Sequence, residues 1–438
     1  MPMNAAAAIL VVIASSAAAC LPPAATRHDS DLRPVHAVDL ILGGFASHAV
    51  VALSDGAGHG QPDTLNFFTT LIRDSRFPRV VRNLVVEFGN TRYQSVMDRY
   101  VTGEPVARDE LRHVWEDTTQ VTGIWSLPMY ERMFAEVRAV NAGLPPDLGI
   151  RVLLGDPPID WGTVTSPADE DMNDWRDAHF AHVIEREVMN RTQKALLLIG
   201  GAHLGRKVIL PNSLIHLLDR RFPKQTLVVS VLDLGRAESA IRERLEAWPM
   251  PAGAAVRGTW FGALNVEQIG FTLSRGEVGD DLDAIVVLSA TSPRQEDVPA
   301  LDPLYRVELA RRRALGHATL PFRGAKIRFE ESATSFAADA GEPVQAVLKE
   351  LLRDRELRLL VKAFADAAES NPEAVSTRRA QRLVDWLVER GVGRDRLVAK
   401  GCGASRPLTF GNTAADRAMN RRAELVRLTP TAACEPPW

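Results

Sequence analysis

"LRLLVKAFADAAESNPEAVSTRRAQRLVDWLVERGVGRDRLVAKGCGASRPL", residues 357–408, governs how the last quarter of the chain is read. "LRLLVKAF" gathers β-branched and large apolar residues into a short run that leads to Asp366, the pattern of a strand. "STRRAQRLVDWLVERG" opens on Ser376, a residue type that caps helices, and sets Ala380, Leu383, Val384, Leu387 and Val388 on one stripe. Gly391 stops the helix. The order is therefore strand, loop, helix, with Asp366 in the loop and Arg379 in the helix's first turn. A carboxylate beside a guanidinium suits a ligand that carries both charges, such as a zwitterionic amino acid. The plainer reading is an ion pair that staples loop to helix, worth roughly 0–1 kcal/mol when exposed.

At these residues the segment from about 325 to 430 resembles the OmpA-like peptidoglycan-binding domain. "STRRA" is similar to that family's helix start, "GCGASRPL" to its Gly-rich turn, and "NTAADRAMNRRAELV" to its Asn-Arg-Arg strand. The resemblance implies a small α+β domain whose Asp366 and Arg379 grip the diaminopimelate of a peptidoglycan stem peptide. Two departures are visible. The usual Gly-His-Thr before the Asp reads Ala363-Phe364-Ala365, and the loop leading to the arginines is a couple of residues short.

A chain of 438 residues exceeds what one core usually serves, so two domains are expected. Apolar residues at 46% and charged residues at 24% fit globular protein, and a net charge of −3 creates no field that would recruit nucleic acid. Three cysteines are too few for a disulfide scaffold. "NAAAAILVVIASSAAA" at 4–19 ends in an Ala-x-Ala pattern and reads as a signal peptide, residues 1–19. Cys20 follows at once and resembles the acylated cysteine of a bacterial lipoprotein, which implies a lipid anchor in the outer membrane, facing the periplasm. Ordinary secretion to the periplasm is the alternative. Residues 20–34, rich in Pro, Ala and polar side chains, read as a tether. With Cys20 acylated or removed, Cys402 and Cys434 are left to pair.

From 35 to 315 short apolar runs alternate with amphipathic stretches: "AVVAL" at 49–53, "NLVVEF" at 83–88, "IRVLL" at 150–154, "ALLLIG" at 195–200, "TLVVSVL" at 226–232 and "AIVVLS" at 284–289. Near-continuous Val, Ile and Leu runs linked by helices predict an α/β domain, a parallel sheet with helices on both faces. The Pro/Gly/Ala stretch at 249–254 reads as a break, and "LYRVELARRRALG" as a closing basic helix whose arginines form a solvated face.

Ligands of such sheets gather beyond the carboxyl ends of the strands, so the turns there are the candidates. They hold Asp55 and His59, Glu87, Asp156 and Asp160, and His203. Two share the form Gly-x-x-His, Gly56 to His59 and Gly200 to His203. Two histidines with carboxylates on one edge form a hydrolytic site, or a metal site in which His59, His203 and Glu87 would ligate a divalent ion. A histidine satisfied by nearby backbone is the plainer reading of each alone. "VVALSDGAGHG", "NLVVEFGN" and "ALLLIGGAHLGR" together resemble the erythromycin-esterase-like, ChaN-like and TIKI/TraB-like superfamily. That resemblance implies water activation by Asp55, His59 and Glu87, although the esterases carry Glu at the position of Asp55 and one residue fewer before the histidine. The superfamily includes esterases, metal-dependent peptidases and a haem-binding lipoprotein, so hydrolysis of an ester or amide stands beside non-catalytic binding of haem, metal or another envelope ligand. "RDAHFAHVIEREV" puts Arg176, His179 and His182 on one helix. The spacing permits a shared metal, but no third ligand is evident and a polar helix face is the expectation. Trp161, Trp175 and Trp260 read as core or cleft walls.

Overall fold

The computed structural model describes residues 31–55, 59–164, 176–207, 213–271, 274–290, 301–317, 326–405, 407–408 and 413–428. The expected signal peptide, Cys20 and most of the tether lie outside the described residues, as do Trp175 and Cys434.

Two sheets organise the described residues. The larger is built from β1 (Val35–His36), β2 (Val50–Ser54), β3 (Asn83–Asn90), β4 (Arg151–Asp156), β5 (Ala195–Ile199), β6 (Thr226–Val231), β7 (Ala252–Ala255) and β8 (Ala284–Val287). Its order is β1-β7-β8-β6-β2-β5-β3-β4. The pairings β3 to β4, β3 to β5, β2 to β5, β2 to β6 and β6 to β8 are parallel. Each of the six apolar runs in the sequence has become one of these strands. The side chains alternate between two cores: Val51, Leu53, Leu84, Val86, Leu196 and Leu198 face one, and Val50, Ala52, Val85, Leu153, Leu197 and Ile199 face the other. A strand with apolar residues on both faces needs a cover on both faces. The helices Pro62–Arg73 and Pro128–Asn141 supply one, Arg176–Ile184 and Leu214–Arg221 the other.

The chain runs outward from β2 to β3 and β4, returns to β5, then crosses to β6 on the far side of β2. That reversal makes the carboxyl ends of β5, β2 and β6 a topological switch point, where a crevice opens.

Two expectations are corrected here. The stretch at 249–254 is not a mere break, because Ala252–Ala255 forms β7, antiparallel to β8, and β1 pairs with it in turn. Small Ala and Gly side chains hid this strand, which carries none of the bulky residues that mark its neighbours. The closing helix, Pro303–His317, is also more than a solvated face. Arg312 is buried and donates to Glu116 O at 2.9 Å and to Asp117 at 2.8 Å. Arg311 donates to Trp161 O and Val164 O, and Arg313 to Val121 O. Glu116 ends the helix Arg108–Glu116, and its carbonyl is one that no helical N–H can reach.

The smaller sheet comprises β9 (Ile327–Arg328), β10 (Leu359–Ala363), β11 (Leu397–Gly401) and β12 (Arg422–Arg427), in the order β11-β10-β12-β9. β10 is parallel to β11 and antiparallel to β12. Helices Gly341–Arg353 and Pro372–Val388 bury Val347, Leu351, Leu383, Val384 and Leu387 against Leu359 and Val361. The second helix starts earlier than expected. Asn371 is its cap, accepting from Ala374 N at 3.1 Å, and Pro372 fills the first turn, where a missing N–H costs nothing. Ser376 instead lies inside the helix, buried, where its hydroxyl accepts from Gly403 N and ties the helix to the turn after β11. Cys402 in that turn is disulfide-bonded, and its expected partner Cys434 is outside the described residues.

Candidate active site and ligand clamp

A cavity of about 280 Å³ opens at the switch point. Asp55 and His59 after β2, Glu87 in β3 and Gly200 to His203 after β5 line it, with Ser230 to Asp233 and Phe271 on the other side. Asp55, His59, Glu87 and His203 thus share one space. Asp156 does not reach it. Fully buried behind, it accepts from Arg176 Nε at 2.7 Å and from the N–H and hydroxyl of Thr119 at 2.6 and 2.8 Å. Asp160 is partly exposed and pairs with Arg92 at 2.9 Å, and neither Trp161 nor Trp260 lines the cavity.

Glu87 sits where the pairing of β3 with β4 slips between Val86 and Asn90, an irregularity that re-aims side chains. One of its oxygens accepts from Gly200 N at 2.6 Å; the other meets Arg176 at 3.0 Å and His203 Nε2 at 3.5 Å. Burial opposes its charge, but Arg176 and then His203 hold the carboxyl well below the usual range. A Cβ at Gly200 would stand 2.9 Å from His59 Cε1 and 3.1 Å from Glu87 Oε2, so a side chain there displaces His59.

Each histidine has its own carboxylate. His59 donates from Nδ1 to Asp55 Oδ2 at 2.5 Å, and its ring meets Trp125 edge-on at 4.4 Å between centroids. Burial pulls its pKa down, but the charge and hydrogen bond of Asp55 prevail and leave it above the ordinary value. His203 donates from Nδ1 to Asp177. Burial again pulls down, and Asp177 and Glu87 together push it up to about 10, so the ring is an imidazolium at neutral pH. Asp177 escaped sequence reasoning, and Arg176 was singled out only beside His179 and His182 on a polar helix face, not as the partner of Glu87. Correcting that reading, His179 is fully buried and its Nε2 meets Thr91 Oγ1 at 2.9 Å, away from solvent.

Among the described residues no three His, Cys, Asp or Glu side chains are grouped to hold an ion. Arg176 faces Glu87 at 3.0 Å and neutralises its charge.

In the smaller unit Asp366 and Arg379 come from the expected loop and helix but do not pair. Asp366 accepts from Asn420 Nδ2 at 2.8 Å and Ala368 N at 3.0 Å. Arg379, 0% exposed, takes Glu369 instead, at 2.5 and 2.7 Å, and spends its other N–H groups on the carbonyls of Ala333, Glu330 and Phe364. Burial opposes the Glu369 charge, yet Arg379 and two backbone N–H groups hold its carboxyl below the usual range.

Comparison with known proteins bears on this unit. The OmpA family model matches residues 328–421. A peptidoglycan-binding protein ArfA of Mycobacterium tuberculosis is 30% identical over 105 residues, covering 24% of this chain and 32% of the relative, so the chain spans about a third of that relative's length. Outer membrane protein A of Escherichia fergusonii is 41% identical over 58 residues, 13% of this chain and 23% of that one. The peptidoglycan-associated lipoprotein of Burkholderia pseudomallei has a solved structure that aligns at 24% identity over 24% of this chain and 89% of that one, with a TM-score of 0.23. By the family match, residues 328–421 of this chain are an OmpA-family domain, set after a larger α/β unit.

Proposed function

We propose that the chain is an exported envelope protein that binds peptidoglycan through its OmpA-family domain and hydrolyses an ester or amide in the cavity of its larger unit. The single observation that carries the hydrolytic reading is the pair of Asp–His couples, Asp55–His59 and Asp177–His203, whose two histidines line one cavity at the switch point. His59, with Nδ1–H fixed on Asp55, has the tautomer in which Nε2 accepts a proton, and its Cε1–Nε2 edge lies against Gly200. It takes the proton of a water as that water attacks the substrate carbonyl carbon, Asp55 stabilises the imidazolium that forms, and the imidazolium returns the proton to the alcohol or amine as the carbon–oxygen or carbon–nitrogen bond breaks. His203, already an imidazolium, offers positive charge to the oxygen that becomes anionic. Glu87 positions: it fixes the Gly200 backbone, the Arg176 guanidinium and His203. Export is supported by the 4–19 stretch, and the disulfide at Cys402 fits an oxidising compartment. Peptidoglycan binding is supported by the OmpA-family match and by what the ArfA relatives are named for.

One observation favours a second reading, a binder of haem or another envelope ligand. One Glu87 oxygen accepts from Gly200 N–H and the other faces the Arg176 guanidinium at 3.0 Å, which lowers its basicity toward a water. A panel of esters and amides separates the two: turnover that falls by roughly 10²–10⁴-fold in His59→Ala supports hydrolysis, whereas ligand binding without turnover supports the binder. Co-sedimentation with diaminopimelate-type sacculi tests the attachment, and full-length protein that stays in the supernatant contradicts it.

A further inference from the structure

Glu369 is held as a bound ligand would be. Its Oε1 accepts from Arg379 Nη2 at 2.5 Å and from Ser332 N at 2.9 Å; its Oε2 accepts from Arg379 Nη1 at 2.7 Å and from Asp366 N at 3.0 Å. Four N–H donors from three separate segments converge on one carboxylate, whose side chain is 3% exposed. Two of the segments adopt uncommon backbone conformations nearby. Ser332 has φ 54° and Asn371, which closes the loop, has φ 55°. A side-chain-bearing residue in that region costs on the order of 1 kcal/mol or more and persists where the surroundings hold it. The donor set is a carboxylate seat: a planar guanidinium for bidentate pairing and two backbone N–H groups beside it.

We propose that Glu369 is an internal competitor, a carboxylate of the chain's own that occupies the seat a stem-peptide carboxylate would take at Arg379. The proposal rests on the reading that this domain binds peptidoglycan. Every N–H of Arg379 is spoken for, so an incoming carboxylate gains the guanidinium only when Glu369 leaves. Glu369 is three residues from Asp366 and cannot diffuse away, which makes it a standing rival at high effective concentration. The open domain is then a minor state, and apparent affinity falls by the fraction that is open. The seat does not discriminate between carboxylates by shape; it discriminates against any that binds less well than Glu369. The domain therefore waits for a ligand whose ammonium also engages Asp366, since only a second contact offsets the loss of Glu369.

The test uses the full-length chain with sacculi and with free meso-diaminopimelate, comparing wild type, Glu369→Ala and Glu369→Gln. Gln keeps the size and the acceptor oxygen but not the charge, so it guards against a variant that fails to fold, and thermal unfolding reports on both. With an open state at 1–10%, removing the competitor raises affinity by roughly tenfold to a hundredfold. Wild type that binds sacculi, with both variants binding equally or more weakly while folded, overturns the competition and leaves the binding reading standing. No binding by wild type or by either folded variant overturns the binding reading, and the competition with it. Tighter binding by the folded variants supports both. In the alanine variant the empty seat should also be refilled by acetate, with a rise in thermal midpoint at millimolar acetate that chloride does not reproduce; no such rise contradicts the seat.

Discussion

Replacing Asp177 by Asn should move the titration of His203 by several pH units. The folded ring titrates at about 10 against an ordinary 6.5, because Asp177 and Glu87 outweigh burial. At about 1.36 kcal/mol per pH unit, that gap is worth roughly 4–5 kcal/mol, an upper figure because water reaches 15% of the side chain and Glu87 is shared with Arg176. The sign follows from a raised folded pKa. The contribution is fully present below pH 6.5 and is lost as pH rises through about 10. Asp177→Asn removes the anion on Nδ1 and leaves Glu87 at 3.5 Å from Nε2, so the folded pKa falls toward the ordinary value and the window narrows. The assay is an NMR titration of the His203 ring in wild type and variant, paired with denaturant unfolding at pH 6 and pH 9.5. Wild type should lose a few kcal/mol between those pH values by way of His203, and the variant less. A wild-type His203 that titrates near 6.5, or a titration unmoved by Asp177→Asn, refutes the reasoning.

Gly200→Ala places a methyl 2.9 Å from His59 Cε1 on a backbone of φ −60°, ψ 145° that any residue adopts, so His59 has to yield by several tenths of an ångström. A rate loss of roughly 10²-fold with little change in thermal midpoint is expected. The acid limb of kcat/KM should lie above pH 6.5, since Asp55 raises His59 against burial, and Asp55→Asn should shift it downward; a limb that stays in place in the variant speaks against His59 as base. Arg312→Ala leaves the carboxylate of Asp117 without its buried guanidinium and frees the closing helix, costing roughly 3–5 kcal/mol in chemical denaturation. Reduction of the disulfide at Cys402 should lower stability by roughly 3–4 kcal/mol if Cys434 is its partner, and mass spectrometry finding two free thiols in exported protein would contradict that pairing.

The large sheet was legible because its strands are buried on both faces and are therefore written in unbroken Val, Ile and Leu; β7, made of Ala and Gly, was not. The carboxyl edge was legible for the same topological reason, because the turns that follow parallel strands open on one edge and carry Asp55, His59, Glu87 and His203 there. Asp156 was named from the same rule yet stands one layer back, since strand position does not say which side chain meets the cavity and which supports its neighbour. Asp177 lies on a helix that precedes β5, and nothing in its spacing marks it as the partner of a histidine 26 residues later. In the smaller unit the helix and strand were read from periodicity, but the cap was placed at Ser376 when Asn371 and Pro372 start the helix earlier. Arg379 pairs with Glu369 and not with Asp366, and periodicity carries no information about which acid a loop delivers.

Whether His59 is the base of a hydrolytic site in a protein held at peptidoglycan is decided by the rate at which sacculus-bound wild type and His59→Ala turn over a panel of carboxylic esters and amides. Wild type should turn them over and the variant should lose roughly 10²–10⁴-fold, with equal binding to sacculi and an unchanged thermal midpoint. Equal rates in the two proteins, or no turnover of any ester or amide by folded wild type, would contradict that role.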